Sequence, residues 1–416
     1  MVKASCLAAV PMLTIALLVG CAPVPRTSDQ TRPYCAGNGL LVDGNFDGAG
    51  FDSCSFTGPA RVEILVGPED APPINPSPWY AFRLSATRPV TVDVTIRIEH
   101  GPARYWPWLS SYGKRWRRAR ADEAVIADGD GIIQLALAVT PPGLWVAAQE
   151  IVDGDDHFEW ISRIAAFEDV ETRLIGHSVN GRPIYATETP RRDEAILLLG
   201  RQHPPEVSGA WALQSFATTL LADTDLARQF REHYMVIAVP LLNPDGVAAG
   251  HWRHNAAGVD LNRDWGPFTQ PETRAVRDWL THLQDRDIRP AVMLDFHSTR
   301  ESLLYTQRPE ETGWPFDFAT LWLQRSRTRL GQFEIRHEPR ARAAQVNAKN
   351  YFFDRYGIPA ITYEMADEAT REGVTSTARI LAEEAMRLLL RKLSWDTSYP
   401  LTGTRPCRNS GISEPQ

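Results

Sequence analysis

The stretch Ala195-Ile-Leu-Leu-Leu-Gly-Arg-Gln-His-Pro-Pro-Glu206 joins an apolar run to a polar turn that carries a histidine and a glutamate three residues apart. Such a run is typical of a strand that is buried on both faces of a sheet. A helix is predicted directly after the turn, over Val207–Ala222. The sequence therefore places His203 and Glu206 at a strand-to-helix junction.

Apolar strands continue to alternate with helices from about Phe167 onward. The further predicted strands are Met235–Pro240, Ala291–Phe296 and Ala360–Glu364, and the further helices are Pro271–Leu283, Phe318–Leu330 and Ser376–Leu393. This order indicates an α/β catalytic domain over residues 166–393, with a mixed, mostly parallel sheet flanked by helices. Functional groups are expected at the strand ends of such a sheet. Residues 394–416 are predicted to form an irregular, exposed tail.

The preceding residues, 38–165, show a period of two instead. In Val90–Ile98, apolar side chains alternate with polar ones, which predicts a half-buried strand. Similar short runs occur at Arg61–Val66, Trp79–Leu84, Ile132–Val139 and Leu144–Ile151, and turn-rich segments separate them. We therefore expect an antiparallel β-sandwich domain over residues 38–165.

A second histidine, His297, ends the strand that is predicted at Ala291–Phe296. Together with His203 and Glu206 it completes a set of two histidines and one glutamate. This set is common at catalytic zinc sites, where it leaves one coordination position open for water. The sequence thus predicts one Zn²⁺ per chain.

Five motifs in order make the chain similar to a known family. They are His203-x-x-Glu206, Arg253-x-Asn255, Gly258-Val-Asp-Leu-Asn-Arg263, His297-Ser298 and Ile361-Thr-Tyr-Glu364. Over roughly residues 170–390 the chain resembles the M14 zinc carboxypeptidases. The β-rich residues before them resemble the N-terminal domain of the cytosolic carboxypeptidase subfamily, whose members trim C-terminal glutamates.

The resemblance implies a role for each matching residue. Glu364 would be the general base that deprotonates water, and Arg253 would stabilise the tetrahedral oxyanion. Asp260 would hydrogen-bond the first zinc histidine and fix its tautomer. Asn262 and Arg263 would hold the free C-terminal carboxylate of the substrate, which would make the enzyme an exopeptidase.

Side-chain preference depends on the segment before the general base, residues 338–350. It carries Arg340, Arg342 and Lys349, which would favour an acidic terminal residue if they line the pocket. A solvated basic loop is the alternative interpretation. Family members carry a tyrosine about twenty residues before the general base, and the sequence does not show whether Tyr351 or Tyr356 replaces it.

The N-terminus predicts an exported protein. Residues 1–20 have a basic start and an apolar run, as a signal peptide does, and Leu18-Val-Gly-Cys21 resembles a bacterial lipobox. We expect a lipid on Cys21, a tether over residues 21–37, and a location on a membrane that faces the periplasm or cell surface. Of the remaining cysteines, Cys35 and Cys54 are closest in sequence, and spacing leaves pairing with Cys407 open.

The length of 416 residues suggests two domains, and the net charge of −7 argues against nucleic acid as a partner. We expect a lipid-anchored zinc metallocarboxypeptidase that acts on the C-termini of peptides or proteins. One alternative is a cell-wall (murein) peptide amidase that uses the same zinc site. A second alternative is an inactive binding module. The sequence does not predict the oligomeric state.

Overall fold

The computed structural model describes residues 32–72, 74–127, 129, 131–308, 311, 318–340 and 346–398. The predicted signal peptide, Cys21, Arg342 and Cys407 lie outside these residues. No helix in the described ranges is long and apolar enough to cross a membrane.

Residues 34–147, named the β region here, form two packed sheets. Its strands are β1 (Tyr34–Gly37), β2 (Leu40–Asp43), β3 (Ser53–Gly58), β4 (Arg61–Val66), β5 (Ala81–Ala86), β6 (Val90–Ile98), β7 (Trp108–Ser110), β8 (Arg117–Arg118), β9 (Ala124–Ala127), β10 (Ile132–Val139) and β11 (Leu144–Ala147). One sheet has the order β1-β2-β5-β11-β7-β8 and the other β3-β4-β6-β10-β9. Neighbouring strands are antiparallel except β4 and β6, which pair in parallel because β5, between them in sequence, lies in the other sheet.

A shared core joins the two sheets. Phe82 and Leu84 of β5 and Val92 and Val94 of β6 belong to one buried cluster, although their strands lie in different sheets. Alternate residues of β6 are buried, as the period of two predicts. A disulfide between Cys35 and Cys54 connects β1 to β3 and therefore links the sheets covalently. This is the pairing that the sequence favoured.

Residues 154–398, named the α/β region, contain one mixed sheet with helices on both faces. Its elements are α1 (Gly154–Ile164), β12 (Glu171–His177), β13 (Pro183–Glu188), β14 (Glu194–Gly200), α2 (Val207–Leu221), α3 (Asp225–His233), β15 (Tyr234–Val239), α4 (Pro244–Ala249), α5 (Pro271–Gln284), β16 (Arg289–Thr299), β17 (Leu303–Thr306), α6 (Phe318–Leu330), β18 (Arg336–Pro339), α7 (Ala348–Tyr356), β19 (Ala360–Ala366) and α8 (Arg371–Ser398). The strand order is β12-β13-β15-β14-β16-β19-β17-β18. The central strands β15, β14, β16 and β19 are mutually parallel.

Burial on both faces explains the apolar run that follows Glu194. Ile196 and Leu198 of β14 pack into the core cluster that includes α2 and α8. Leu197 and Leu199 pack into the cluster on the other face, with α5 and α7. Because neither face meets water, the strand has no polar alternation.

The predicted strands and helices of the α/β region are present. The structure adds elements that were not predicted, namely β12, β13, β17, β18, α3, α4 and α7. Two boundaries also differ. Helix α1 lies within the range assigned to the β-sandwich, yet its buried Trp160, Ile161 and Ile164 pack into the α/β core. Helix α8 begins at Arg371 and continues to Ser398, so the irregular tail predicted from Ser394 is wrong for its first residues. Residues 399–416 lie outside the described ranges.

Candidate active site

Three predicted metal ligands converge at the carboxyl ends of β14 and β16. The Nδ1 atom of His203 lies 2.8 Å from one carboxylate oxygen of Glu206, and the Nδ1 atom of His297 lies 2.7 Å from the other. The two Nδ1 atoms are 3.2 Å apart. All three side chains are buried, so they form a compact group shielded from water.

The opposite nitrogen of each histidine faces a further carboxylate. His203 Nε2 lies 3.0 Å from Asp260 Oδ1, and His297 Nε2 lies 2.8 Å from Asp295 Oδ2. A neutral imidazole has a single N–H, and each ring meets its outer carboxylate best by donating from Nε2. Both Nδ1 atoms are then acceptors, and they converge with the oxygens of Glu206. A cation, either a proton or a metal ion, is then needed between these two nitrogens and two oxygens, and this donor set suits Zn²⁺.

The charges around the group also favour a positive ion. Burial opposes charge on His297, but Asp295 and Glu206 outweigh it and hold the pKa of His297 well above its ordinary value. Burial raises the pKa of Glu206, but His203 and His297 lower it by a larger amount, so that the net shift is downward. The pKa of Asp260 is likewise lowered, because His203 and Arg253 outweigh its burial. The pocket thus keeps Glu206 and Asp260 ionised and stabilises positive charge between them.

Asp295 is a functional candidate that the sequence interpretation missed. It is fully buried, and both of its oxygens accept from Gln202 Nε2, at 2.8 and 2.9 Å. Gln202 Oε1 in turn accepts from the indole of Trp265 at 2.9 Å. A signal was available, because residues two apart on a strand share a face and Asp295 precedes His297 by two positions.

Helix α2 starts beside the metal ligands and packs closely on β16. A Cβ atom added at Gly209 would lie 2.6 Å from the carbonyl oxygen of His297, closer than atoms can approach. The Gly209 N–H also donates to Ser298 Oγ at 2.8 Å. Only glycine allows this approach, which keeps Glu206, the residue before the helix, within reach of His297.

The predicted general base, Glu364, lies on the neighbouring strand. It is paired in register with His297 across β16 and β19. Its Oε2 atom is buried and has no hydrogen-bond partner among the described residues. Burial is the main cause that raises the pKa of Glu364 to about 7, against the lowering influence of His297. A carboxylate in this state is suited to accept a proton near neutral pH.

The remaining predicted residues lie around Asp260, with different degrees of burial. Arg253 is buried and donates from Nε to Asp260 Oδ2 at 2.7 Å. Asn262 is also buried, with Nδ2 3.2 Å from His297 Nε2, and its Oδ1 accepts from the Ala348 N–H at 2.9 Å. Arg263 is exposed, and its Nη1 donates to the carbonyl of Asn262 at 2.8 Å. The structure therefore places Arg253 next to Asp260 and Asn262 next to His297, and it leaves the Arg263 side chain at the surface.

The basic segment divides into residues with different environments. Lys349 is buried at the start of α7, and its ammonium contacts two neutral oxygens, Thr306 O at 3.4 Å and Asn350 Oδ1 at 3.0 Å. Arg340 stacks on the ring of Tyr305 at 4.2 Å. Arg342 is outside the described residues.

Tyr351 and Tyr356, the candidates to replace the family tyrosine, pack with each other and with Phe352. Tyr351 also contacts the ring of Trp265. The structure therefore places both rings in an aromatic cluster, and the role of the family tyrosine stays unassigned.

Comparisons with known proteins identify relatives of this chain. An uncharacterized protein of Zymomonas mobilis is 31% identical over 212 residues, which are 49% of this chain and 54% of that protein. Human cytosolic carboxypeptidase 4 is 32% identical over 124 residues, which are 28% of this chain and 11% of the human protein. The chain thus spans about half the length of the first of these relatives and a small part of the second.

Solved structures share the fold. A metallo-carboxypeptidase from Burkholderia cenocepacia superposes with a TM-score of 0.71, at 20% identity over 85% of this chain and 99% of that chain. One from Pseudomonas aeruginosa gives 0.69, at 22% identity over 84% and 98%. Both likenesses include the β region, because they cover more than the α/β region alone. The zinc carboxypeptidase (peptidase M14) family matches residues 159–379, more than half of the chain, and the chain belongs to this family.

Proposed function

We propose that the chain is a zinc-dependent metallocarboxypeptidase that removes single residues from the C-termini of peptides or proteins. The observation that carries the proposal is the convergence of His203, Glu206 and His297 next to Glu364. Glu364 pairs in register with His297, and its buried Oε2 atom has no hydrogen-bond partner among the described residues. A binding module would have no need for a buried base next to a metal-binding group. Membership of the M14 family supports the same activity.

The proposed chemistry uses one metal ion and the side chains around it. When bound by His203, Glu206 and His297, zinc would polarise the scissile carbonyl and acidify a water molecule. Glu364 would take the proton of the attacking water and pass it to the leaving amine. Arg253 would stabilise the negative oxygen that forms on the former carbonyl. Its guanidinium is held by Asp260 before substrate arrives, so little reorganisation is needed.

Attack at the chain end requires recognition of a free carboxylate. Asn262 and Arg263 follow Asp260 by two and three residues, in the short 3₁₀ helix Leu261–Arg263. Asn262 Nδ2 lies 3.2 Å from His297 Nε2. The exposed guanidinium of Arg263 is available for a planar anion, to which it can donate two parallel hydrogen bonds. This geometry supports an exopeptidase.

A preference for an acidic terminal residue follows from Lys349. Two hydrogen bonds of this buried ammonium go to neutral oxygens, and Glu311 attracts its charge. A substrate carboxylate would add a direct charged partner. The start of α7 is tied to the site because the Ala348 N–H donates to Asn262. We therefore assign the side-chain pocket to the neighbourhood of Lys349.

We also propose that the protein is anchored to a membrane through a lipid on Cys21 and meets its peptide substrates outside the cytoplasm. The support is the lipobox-like Leu18-Val-Gly-Cys21. Replacement of Cys21 by alanine should release the protein from the membrane fraction.

The experiment that tests the activity compares one peptide in two forms, a free acid and a C-terminal amide. Wild-type protein with zinc should release the last residue of the acid about thirty- to several-thousandfold faster in kcat/KM, because losing a charge-assisted pair costs about 2–5 kcal/mol. Arg263→Ala should remove most of this discrimination, whereas Arg61→Ala, an exposed arginine of the β region, should keep it. Equal rates on both forms in the wild type would rule out the exopeptidase assignment.

A further inference from the structure

A carboxylate of the β region binds the loop that carries Arg253. Glu69, in the segment after β4, accepts three backbone hydrogen bonds from consecutive residues: its Oε2 from Trp252 at 2.7 Å, and its Oε1 from Arg253 at 2.8 Å and His254 at 2.6 Å. The Glu69 side chain is only 7% exposed. Three converging N–H groups form a small anion-binding concavity, and Glu69 fills it.

Two further contacts join the same segments. Asp70 Oδ2 lies 2.5 Å from His254 Nδ1. Gly258 has φ of +72°, a conformation that favours glycine, and a Cβ there would lie 3.2 Å from the Asp70 carboxylate. The β region therefore binds the backbone of residues 252–254 through Glu69, and Asp70 contacts His254 and lies close to Gly258.

These contacts determine where the Arg253 guanidinium lies. The structure anchors the side chain of Arg253 through Nε to Asp260, on the α/β side. Glu69 anchors its backbone from the opposite side, at the peptide N–H of the same residue. An arginine that is held at both its N–H and its Nε has little freedom to turn or to shift along the cleft.

We propose that Glu69 is a positioning residue for catalysis: it fixes the loop that presents Arg253 to the oxyanion, so that the β region completes the active site of the α/β region. This inference rests on the proposed function. It assigns to the β region a part in turnover, in addition to its part in the fold.

The same residues offer an alternative that the geometry disfavours. Glu69, Asp70 and His254 are close enough to hold a metal ion. However, both oxygens of Glu69 already accept from backbone donors at 2.6–2.8 Å, and His254 Nδ1 already faces Asp70. The hydrogen-bonding groups of these three side chains therefore have partners within the protein, and the contacts connect the β region to the loop.

The test is Glu69→Gln in the full chain with zinc. The amide keeps the size of the side chain but turns one acceptor into a donor that faces backbone N–H groups. We expect kcat to fall roughly tenfold to a hundredfold, because a displacement of about 1 Å at a catalytic group has this effect. KM should stay within about twofold, since Arg253 acts mainly in the transition state. Glu63→Gln, which removes a carboxylate from the surface of β4, is the matched control and should keep wild-type kcat.

A double-mutant cycle separates positioning from general stability. If Glu69 acts through Arg253, the effect of Glu69→Gln on kcat should largely disappear in an Arg253→Ala background. Equal effects in both backgrounds, or a lower Tm with wild-type kcat in the folded protein, would overturn the inference. Peptide hydrolysis by the wild type is measured first; its absence would refute the proposed function, whereas a null result for Glu69→Gln would refute only this inference.

Discussion

Asp295 and His297 lie two residues apart on one strand, and the Oδ2 atom of Asp295 is 2.8 Å from Nε2 of His297. The same carboxylate accepts twice from Gln202. The aspartate therefore orients the imidazole and makes its Nδ1 a better electron donor. Asp260 does the same for His203, so both predicted zinc histidines are supported by carboxylates.

Replacing Asp295 by asparagine should weaken zinc binding by about 10- to 100-fold, because the ring loses a charged acceptor at Nε2. Competition with a chromogenic chelator measures the affinity. Asp93→Asn, on the exposed face of β6, is the control and should bind zinc as the wild type does. Unchanged affinity in Asp295→Asn would show that the aspartate has only a structural role.

His297→Ala should reduce bound zinc from about one ion per chain to a small fraction, and activity should fall with it. One of three ligands is lost, and the remaining pair leaves the ion open to chelators. Metal analysis after gel filtration provides the measurement. Full zinc occupancy in this variant would remove His297 from the ligand set.

Glu364→Gln should keep the metal and the Tm but lose turnover by about 10²- to 10⁴-fold, since an amide cannot accept the proton of the attacking water. Zinc content and kcat are measured on the same sample. Glu63→Gln, in strand β4 of the β region, serves as the control and should keep wild-type turnover. Activity within tenfold of the wild type would mean that another group is the base.

Lys349→Met should remove the preference for an acidic C-terminal residue. The variant keeps an unbranched side chain one atom shorter than lysine, which cannot pair with a carboxylate. We expect the ratio of kcat/KM for glutamate- and leucine-terminated peptides to fall at least about tenfold, or about 1.4 kcal/mol. Lys114→Met, at an exposed lysine of the β region, should leave the ratio unchanged. An unaltered ratio in Lys349→Met would place the specificity pocket elsewhere.

The same lysine predicts a pH effect with a defined sign. Burial is the main cause that lowers the pKa of Lys349 to about 8; Glu311 acts against this shift and Arg340 adds to it. Lys349 is therefore charged below about pH 8 and neutral above it. The glutamate-to-leucine ratio of kcat/KM should be high at pH 7 and decline as the pH rises through 8, because kcat/KM reports groups of the free enzyme. A ratio that stays constant to pH 9 would contradict the assignment.

The sequence predicts best those strands that have one face in the core and one face in solvent. The ends of Val90–Ile98 and Ile132–Val139 were predicted to the residue, because alternating apolar and polar side chains indicate a strand with one solvent-exposed face. Helix α1 was missed since it is short and follows the sandwich directly. Its apolar side chains are buried only by contact with the α/β core.

The site was predictable where function depends on side-chain types at fixed spacing, as for His203, Glu206 and Glu364. Asp295 could have been found from its spacing to His297. Glu69 could not, because its partners are backbone N–H groups 183 to 185 residues later, and backbone donors leave no pattern in a sequence.

The parallel pairing of β14 with β16 has a consequence for how the protein matures. His203 and His297 are 94 residues apart in the chain, and only the finished central sheet brings them together. Contacts of this separation are late events in folding, because a long loop must first be closed. A partly folded chain would offer His203 and Glu206 without His297 and would hold zinc weakly. Zinc bound by all three ligands would therefore add its binding free energy to the native state, so that metal supply would influence how much of the protein resists proteolysis.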